Sequence, residues 1–571
     1  MLRDQHLSKM NSSMLFHIMQ FIRNALRHPL MFPVVIVVCV LLTLYVTHAH
    51  AVTLVSPPVP GSFDASFGNG TGRILRMAVT ADGPDAMTGI SPHSGEKVLV
   101  AGYCVAQRTR FCIARFNSSG ELDQTFVGDN GDSGKFTINV PEWRYAAGLH
   151  VVSQHDGKIL IAGVCEAALG QFSFCVMRLL ADGRLDPSFV GPTGIAHGAV
   201  YVPLAEQANF LTALTVQNDG QILLSGICSL STPRRDATCL ARLRPDGSWD
   251  AGFAGPSGDA AGAFVLPLTS TNERNVSAIS RPDMSILLVA GCATAGSHRV
   301  CVARLNRDGS FDTTFNAGGT PGKINFLSFA NVSVTPTDIA LQPDDKLLIA
   351  GNCEFAQMKM CVGRLTPQGM FDPTFTGQGG NSGSFFLPVS AGDDYAHSVR
   401  VQSDGKILLA GRCVAVSTRF GDICMARLHG DGALDTSFDG PDSTNRGNGM
   451  FHQNMGPAIS SSVSMLLQSN GQIMHVSTCT DLPGVGTDRV CLARIHGGPQ
   501  SSPYCSMDID GDGVIGSPAD ALIAIRSSMG FTNSAVFEGI VLSPHATRRD
   551  WASIHSYLST QCGMRLRSLA T

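Results

Sequence analysis

Charge and tryptophan are both scarce in this chain. Asp, Glu, Lys and Arg make up only 15% of its 571 residues, and three are tryptophan. The formal net charge is −4, which gives no bulk attraction to a polyanionic backbone, so no nucleic-acid partner is expected. No low-complexity run is long enough to suggest disorder. Catalytic signatures are missing as well. There is no G-x-S-x-G elbow, no H-E-x-x-H helix and no Walker loop, which removes the usual sequence grounds for a hydrolase nucleophile, a zincin or a P-loop.

The first 51 residues stand apart. Arg23 and Arg27 precede the apolar run LMFPVVIVVCVLLTLYV, and Ala49-His50-Ala51 offers a small-x-small cleavage site. This reads as a secretory signal peptide over 1–51, cleaved after Ala51, with Met14 as an alternative start. An uncleaved membrane anchor is the competing reading, although the run is short for a spanning helix of about 20 residues. Cleavage removes Arg3, Lys9, Arg23, Arg27 and the single acid Asp4, so the mature chain is more acidic still.

Cysteine counting agrees with export. Of 17 cysteines, Cys39 lies in the leader, fourteen form seven local pairs, and Cys505 and Cys562 flank a C-terminal segment. The pairs are Cys104/Cys112, Cys165/Cys175, Cys228/Cys239, Cys292/Cys301, Cys353/Cys361, Cys413/Cys424 and Cys479/Cys491. Seven to eleven residues separate the members and nearby histidines are sporadic, so the spacing does not suit zinc. In an oxidising compartment such pairs become disulfides. Placed at the facing ends of adjacent antiparallel strands, about 4.5–5.5 Å apart, each would close a short loop worth about 2–3 kcal/mol.

The pairs ride on a repeat. Gly102, Gly163, Gly226, Gly291, Gly351 and Gly411, with Ser477 seventh, recur at steps of 60 to 66 residues, a period that means a solenoid or a propeller. Within a unit, short β-branched runs are joined by Asp-Gly turns, as in KILIAG, FCVMRLL and ADG, which is a hairpin signal. Three hairpin-connected strands and a weaker fourth, seven times over, suit four-stranded propeller blades. Six units end in segments such as LDQTF (122–126) and FDPTF (371–375); the seventh lacks one, and FDASF (63–67) stands ahead of the first unit. A ring closed by the N-terminal segment explains that displacement, because it removes the free edges.

Over 61–496 the recurring Q-x-D-G-K-I-L-x-A-G and A-R-L…D-G-x-L-D-x-S-F segments, as in QSDGKILLAG at 402–411, resemble the delta-60 repeat family of bacterial β-propellers. The resemblance implies the fold and brings no catalytic residues with it. The boxes of sialidase propellers are absent, and three tryptophans are too few for quinoprotein docking motifs. GDSGK (131–135) looks like a serine-protease loop, but its counterparts GGNSGSF and RGNGMF mark it as an inter-strand turn. Arg115, Arg178, Arg242, Arg304, Arg364, Arg427 and Arg494 recur in the third strand, and Asp64, Asp123, Asp186, Asp250, Asp312, Asp372 and Asp435 in the closing segment. Seven equal copies suit structural pairs better than one active site.

After a linker at 499–503 (PQSSP), residues 504–571 form a second module. Asp508, Asp510 and Asp512 occupy positions 1, 3 and 5 of an EF-hand-type loop, Gly513 the turn, Val514 the carbonyl position and Asp520 position 13. Alternating carboxylates converge on a hard cation, so one Ca²⁺ is expected. The loop resembles that of dockerin modules, with one extra residue and no second copy. Leu522, Ile525 and Met529 give helical spacing, and a second helix falls near Trp551, Ile554 and Leu558. A Cys505–Cys562 disulfide would close the module.

The expected protein is therefore all-β: a seven-bladed β-propeller over 61–498, closed by the N-terminal segment, with a small, mainly α calcium-binding module. It would be secreted or held at the cell surface, a monomer that meets the membrane only through an uncleaved leader, and a binding or scaffold protein rather than an enzyme. Arg108, Arg110, Arg234 and Arg235, in the variable cysteine loops, are the candidate contacts for an extracellular polymer or protein. The alternative is an extracellular polysaccharide hydrolase or lyase with its site in the propeller funnel. The calcium expectation is directly testable. Titration calorimetry should detect one calcium site, and Asp510→Ala should abolish calcium-dependent stabilisation of the module while leaving propeller melting unchanged; a wild type without calcium heat contradicts the loop reading.

Overall fold

The computed structural model describes residues 59–498, less short stretches at 81–82, 106–107, 139, 169, 192–197, 205–207, 259–260, 295, 330–331, 378–381, 415–420, 439–446, 456–457, 469 and 481–487. Beyond these it describes 509–510, 518–528 and parts of 531–558. The leader, the linker and the Cys505–Cys562 pair lie outside the described residues. The chain divides into 1–57 and 58–571, and all the described strands and helices belong to the second unit.

That unit contains a seven-bladed β-propeller. Strand β1 (Arg73–Met77) precedes blade one, which is a meander of β2 (Asp85–His93), β3 (Lys97–Val105), β4 (Thr109–Phe116) and β5 (Lys135–Ile138) in that order. Five further four-stranded meanders span 145–202, 209–265, 273–327, 333–387 and 393–453. The seventh supplies three strands, Ala458–Leu467, Gln472–Thr480 and Arg489–His496, and β1 pairs antiparallel with the last, Arg73 opposite Ala493. Phe63 makes an isolated bridge to Ile495 on the same strand.

Each second strand is apolar along its length because blades cover it on both sides. Val98, Val100, Ile159, Ile161, Ile222, Leu224 and Leu408 are all buried, and so are their counterparts. The cores lie between blades: Phe111 and Ile113 of blade one pack with Ile159, Ile161 and Met177 of blade two. The same holds across the chain ends, where Met87, Val98 and Val100 share a core with Met474, Val476 and Leu492.

All seven local cysteine pairs are disulfides: Cys104–Cys112, Cys165–Cys175, Cys228–Cys239, Cys292–Cys301, Cys353–Cys361, Cys413–Cys424 and Cys479–Cys491, with Cα separations of 5.6 to 6.0 Å. The expected placement, with the two cysteines directly facing, is corrected in every blade, because the partners are diagonal. Cys104 stands opposite Arg110 rather than Cys112. The residue facing each second cysteine is small: Gly102 faces Cys112, Gly163 faces Cys175 and Gly226 faces Cys239. Ala290 faces Cys301, Gly351 faces Cys361, Gly411 faces Cys424 and Ser477 faces Cys491. A small partner leaves room for the sulfur to cross the ladder. Seven disulfides require an oxidising environment for their formation, and no described helix is long and apolar enough to cross a membrane.

The Leu-Asp-x-x-Phe segments are turns, not fourth strands; the fourth strand follows each of them. In every copy the Phe is buried, and the third-strand arginine stacks on it, with Arg364 4.3 Å above the Phe375 ring and Arg115 4.4 Å above Phe126. The arginine Nε meets the segment's aspartate at 2.6–2.8 Å in all seven blades. Its Nη1 then donates to a backbone carbonyl of the next blade: Arg115 to Ala181, Arg178 to Pro245, Arg242 to Arg307, Arg304 to Pro367, Arg364 to Gly430 and Arg427 to Gly497. Arg494, in the last blade, donates to Ser118 of the first.

The acceptor turns explain their glycines. Gly432 has φ +95°, and a Cβ there would press on the Phe375 and Phe385 rings of the preceding blade. Burial by itself would raise the Asp186 carboxyl, yet hydrogen bonds from Ser188 and Lys158 and the Arg178 charge hold it down to about 2.

In the C-terminal part, α1 (Pro518–Ser528), α2 (Ser534–Phe537) and α3 (Trp551–Ser556) surround a small core of Ile509, Ile523, Val536, Ile554 and Leu558. The helical spacing marked the right segment but the wrong face: Leu522 and Ile525 are exposed and Ile523 is the buried residue.

Removing one clamp should be costly, because it strands a buried carboxylate. Arg242→Met, which leaves Asp250 with no other cation among the described residues, should lower the propeller's unfolding free energy in denaturant titration by about 3–5 kcal/mol; a loss below about 1 kcal/mol, typical of surface pairs, contradicts the structural role.

Candidate functional site

The first strands of the blades line a central cavity of about 530 Å³. These strands carry β-bulges, as at Met87/Gly89, Pro336/Asp338 and Ala396/Ser398, and bulges re-aim side chains next to sites. The lining is mostly hydroxyls and small apolar groups, with four exceptions: His150 on blade two, Asp338 on blade five, and His397 and Arg400 on blade six.

Arg400 Nη1 is 2.5 Å from Asp338 Oδ2, which also accepts the Val399 amide at 3.0 Å. Burial pushes the His150 imidazole down to about 4, opposed by its hydrogen bond to the Thr212 backbone and by the Asp338 charge. Burial, aided by the Arg412 charge, likewise takes His397 to about 4. Both rings are therefore neutral at pH 7. The cavity wall presents two neutral imidazoles and one internally compensated ion pair.

No local motif singles out this group, because its members are spread from residue 150 to residue 400, in strands whose repeats look alike. A signal was present. Four residues before the position held by Gln154, Gln342 or Gln402, the seven repeats read Gly89, His150, Ala213, Ser277, Asp338, Ser398 and Ser464. That position diverges, as do the one before it, which carries His397, and the one two after it, which carries Arg400, whereas the position directly after it is apolar in every repeat.

The four candidate arginines lie on the opposite side of the ring from the Asp-Gly turns, where the second and third strands are joined. Arg108 and Arg234 are exposed, and Arg110 and Arg235 half-buried. The structure does not bring them into one cluster, since two belong to blade one and two to blade three. Arg235 Nη1 donates to the Thr269 carbonyl, in the connection from blade three to blade four. Between the two pairs runs an aromatic row, with Tyr145 edge-on to Phe172 at 5.7 Å and Phe172 stacked with Phe210 at 6.1 Å.

Of the calcium set, Asp508, Asp512 and Val514 lie outside the described residues. Asp510 and Asp520 are fully buried. Asp520 Oδ1 accepts the amides of Ile509 at 2.6 Å and Asp510 at 3.0 Å, so the end of the loop folds onto its beginning. The contact brings Asp520 to the backbone of Asp510. Among the described residues, one group has metal-ligand spacing, Asp394 with Cys413 and Cys424. Those two sulfurs form a disulfide and Asp394 pairs with Lys359 at 3.1 Å, so it holds no metal. Ser133 of GDSGK donates to Gln124 Oε1 at 2.6 Å in a turn and has no catalytic setting.

A family model described as "Domain of unknown function (DUF5122) beta-propeller" matches residues 97–126, 154–189, 286–315 and 402–438. The matched stretches run through the repeat's turns and third strands. No curated protein matches the chain. Among solved structures, a protein of unknown function from Dyadobacter fermentans DSM 18053 is 9% identical with a TM-score of 0.40, covering 74% of this chain and 99% of its own. The polysaccharide lyase Uly1 is 10% identical with a TM-score of 0.43, covering 74% and 91%. The PQQ-bound aldose sugar dehydrogenase from Streptomyces coelicolor is 13% identical with a TM-score of 0.31, covering 73% and 97%.

The neutral imidazoles give a pH expectation. Their folded-state values lie below the ordinary histidine value near 6.5, so they favour the folded state above that pH and the contribution is lost as pH falls toward 4. NMR of the ring protons should show His150 and His397 neutral at pH 5.5; protonated His150 at that pH contradicts the buried setting.

Proposed function

We propose that the protein is an exported binding or scaffold protein that docks an extracellular polymer on the face carrying the cysteine loops. One observation carries this reading. The seven third-strand arginines are spent inside the ring, whereas Arg108 and Arg234 are exposed on hairpins that disulfides hold rigid. Rigid, variable loops lower the ordering cost of binding. The aromatic row between the two arginine pairs adds flat apolar surface of the kind that anchors ligands. Both features suit an acidic polysaccharide.

The supporting architecture follows the same reading. The N-terminal segment closes the ring as the outer strand of blade seven, which the pairing of β1 supports. Calcium, held by Asp508, Asp510, Asp512, the Val514 carbonyl and Asp520, stabilises the C-terminal module, and the leader at 1–51 directs export. A second reading, a polysaccharide hydrolase or lyase with its site in the funnel, draws on the imidazoles, carboxylate and guanidinium of the channel. The mutual pairing of Asp338 and Arg400 suits holding a ligand better than proton transfer.

Neutralising Arg108, Arg110, Arg234 and Arg235 together to Gln should weaken retention of the disulfide-intact protein on an immobilised acidic polysaccharide and flatten its salt dependence. Retention equal to wild type at every salt concentration removes this face as the site.

A further inference from the structure

The central channel has no part in docking at the cysteine-loop face, and its polar groups divide into two sets. Thr88, Thr212 and Thr215 donate to the carbonyls of Gly148, Val276 and Ala278. Those hydroxyls link one inner strand to the next and serve the ring itself. The second set also joins neighbouring strands, Asp338 Oδ2 accepting from the Val399 amide and from Arg400, but it leaves polar atoms over. Among the described residues, Asp338 Oδ1 accepts only the amide of Ile339, at 2.9 Å. Arg400 spends Nη1 on Asp338 and on the Val399 carbonyl, and its Nε and Nη2 make no hydrogen bond among the described residues. His397 Nε2 is buried in the cavity wall and also has no hydrogen-bond partner among the described residues. A buried polar atom left unmade costs about 1–3 kcal/mol, so a group that completes it is favoured.

Charge selects the chemistry of that group. Asp338 and Arg400 cancel, and His150 and His397 are neutral, so the site carries no net charge to attract an ion. An anion would meet Asp338 and a cation would meet Arg400, each in the half-buried wall of the channel. What the site does offer is donors and acceptors side by side: a guanidinium edge, a carboxylate oxygen, the His397 imidazole, the one ring nitrogen of His150 not bonded to the Thr212 backbone, and the hydroxyls of Ser277 and Ser464. Vicinal hydroxyls, each both donor and acceptor, match that alternation. The cavity of about 530 Å³ lies within the ~300–1,000 Å³ of small-molecule sites.

We propose that the propeller channel is a second binding site, for a neutral hexose unit, with Asp338 and Arg400 holding adjacent hydroxyls and His150 and His397 completing the contacts. The site is distinct from the cysteine-loop face and does not depend on it. The sugar is either free or the uncharged end of a glycan chain.

The test uses the disulfide-intact protein with methyl α-glucopyranoside, methyl α-galactopyranoside, methyl α-mannopyranoside and maltose, set against glucuronate and glucosamine. Saturation-transfer NMR should detect at least one neutral sugar, and calorimetry should show the charged sugars binding about tenfold or more weakly. Maltose binding more tightly than every methyl glycoside identifies a chain end as the preferred form, and equal binding identifies a single unit. Asp338→Asn keeps an acceptor for the Val399 amide and should weaken binding about tenfold. Should that variant not fold, the wild-type ring signals of His150 and His397 should shift on sugar addition while those of His155 stay fixed. Absence of transfer from every neutral sugar, charged sugars binding as well as neutral ones, unchanged affinity in Asp338→Asn, or static His150 and His397 signals each overturns the proposal.

Discussion

One guanidinium per blade holds this ring together. Each third-strand arginine satisfies three demands at once: it pairs with the aspartate of its own Leu-Asp-x-x-Phe turn, covers that turn's buried phenylalanine, and donates to a backbone carbonyl of the next blade. A planar group with donors pointing in several directions can do this, whereas an ammonium is a single point of charge. The arrangement couples local folding to assembly, because a blade cannot finish its own turn without presenting a donor to its neighbour. The buried carboxylates in turn make the guanidinium indispensable, since either charge alone would be left desolvated.

The two faces of the ring are secured by different chemistry. On the Asp-Gly side the arginine clamps work between blades. On the other side the disulfides act within blades, and buried acids at the starts of inner strands tie one blade to the next: Asp85 pairs with Arg489, Asp394 pairs with Lys359, and Glu273 accepts the Thr238 amide. With both rims secured, loops on the cysteine face are free to vary. The channel wall is free to vary for a different reason. Its bulged residues face the lumen, where packing does not dictate their identity, and this is where His150, Asp338, His397 and Arg400 depart from the repeat.

Much of this was legible in the sequence because repetition separates structure from exception. The 60 to 66-residue period implied the blade count, the local cysteine pairs implied the seven disulfides, and the sevenfold Arg and Asp copies were rightly assigned to structure. The turn nature of Leu-Asp-x-x-Phe was not legible, since a short apolar run next to an aspartate reads as strand until its hydrogen bonds are known. The diagonal crossing of each disulfide depends on register, which spacing does not fix: Cys175, Cys239, Cys301, Cys361 and Cys491 each face a small residue instead of their sulfur partner. The channel group was missed because a ring brings distant residues together through symmetry, so its members share no local motif and show only when the seven inner strands are aligned on one another. In the helical module the spacing of Leu522 and Ile525 was helical, but it is Ile523 that joins the small core with Ile509, Val536 and Ile554.

With every blade clamped to the next, the propeller is one cooperative object in which the last clamp matters as much as any other, although its donor and acceptor lie 376 residues apart in sequence. Hydrogen–deuterium exchange on Arg494→Met tests that most directly. Cooperative clamping predicts that amides of β1, of the last strand, of β2 and of the central blades all lose protection together, in a single sub-global opening. Loss confined to the seventh blade, with blades one to six protected as in wild type, would contradict it.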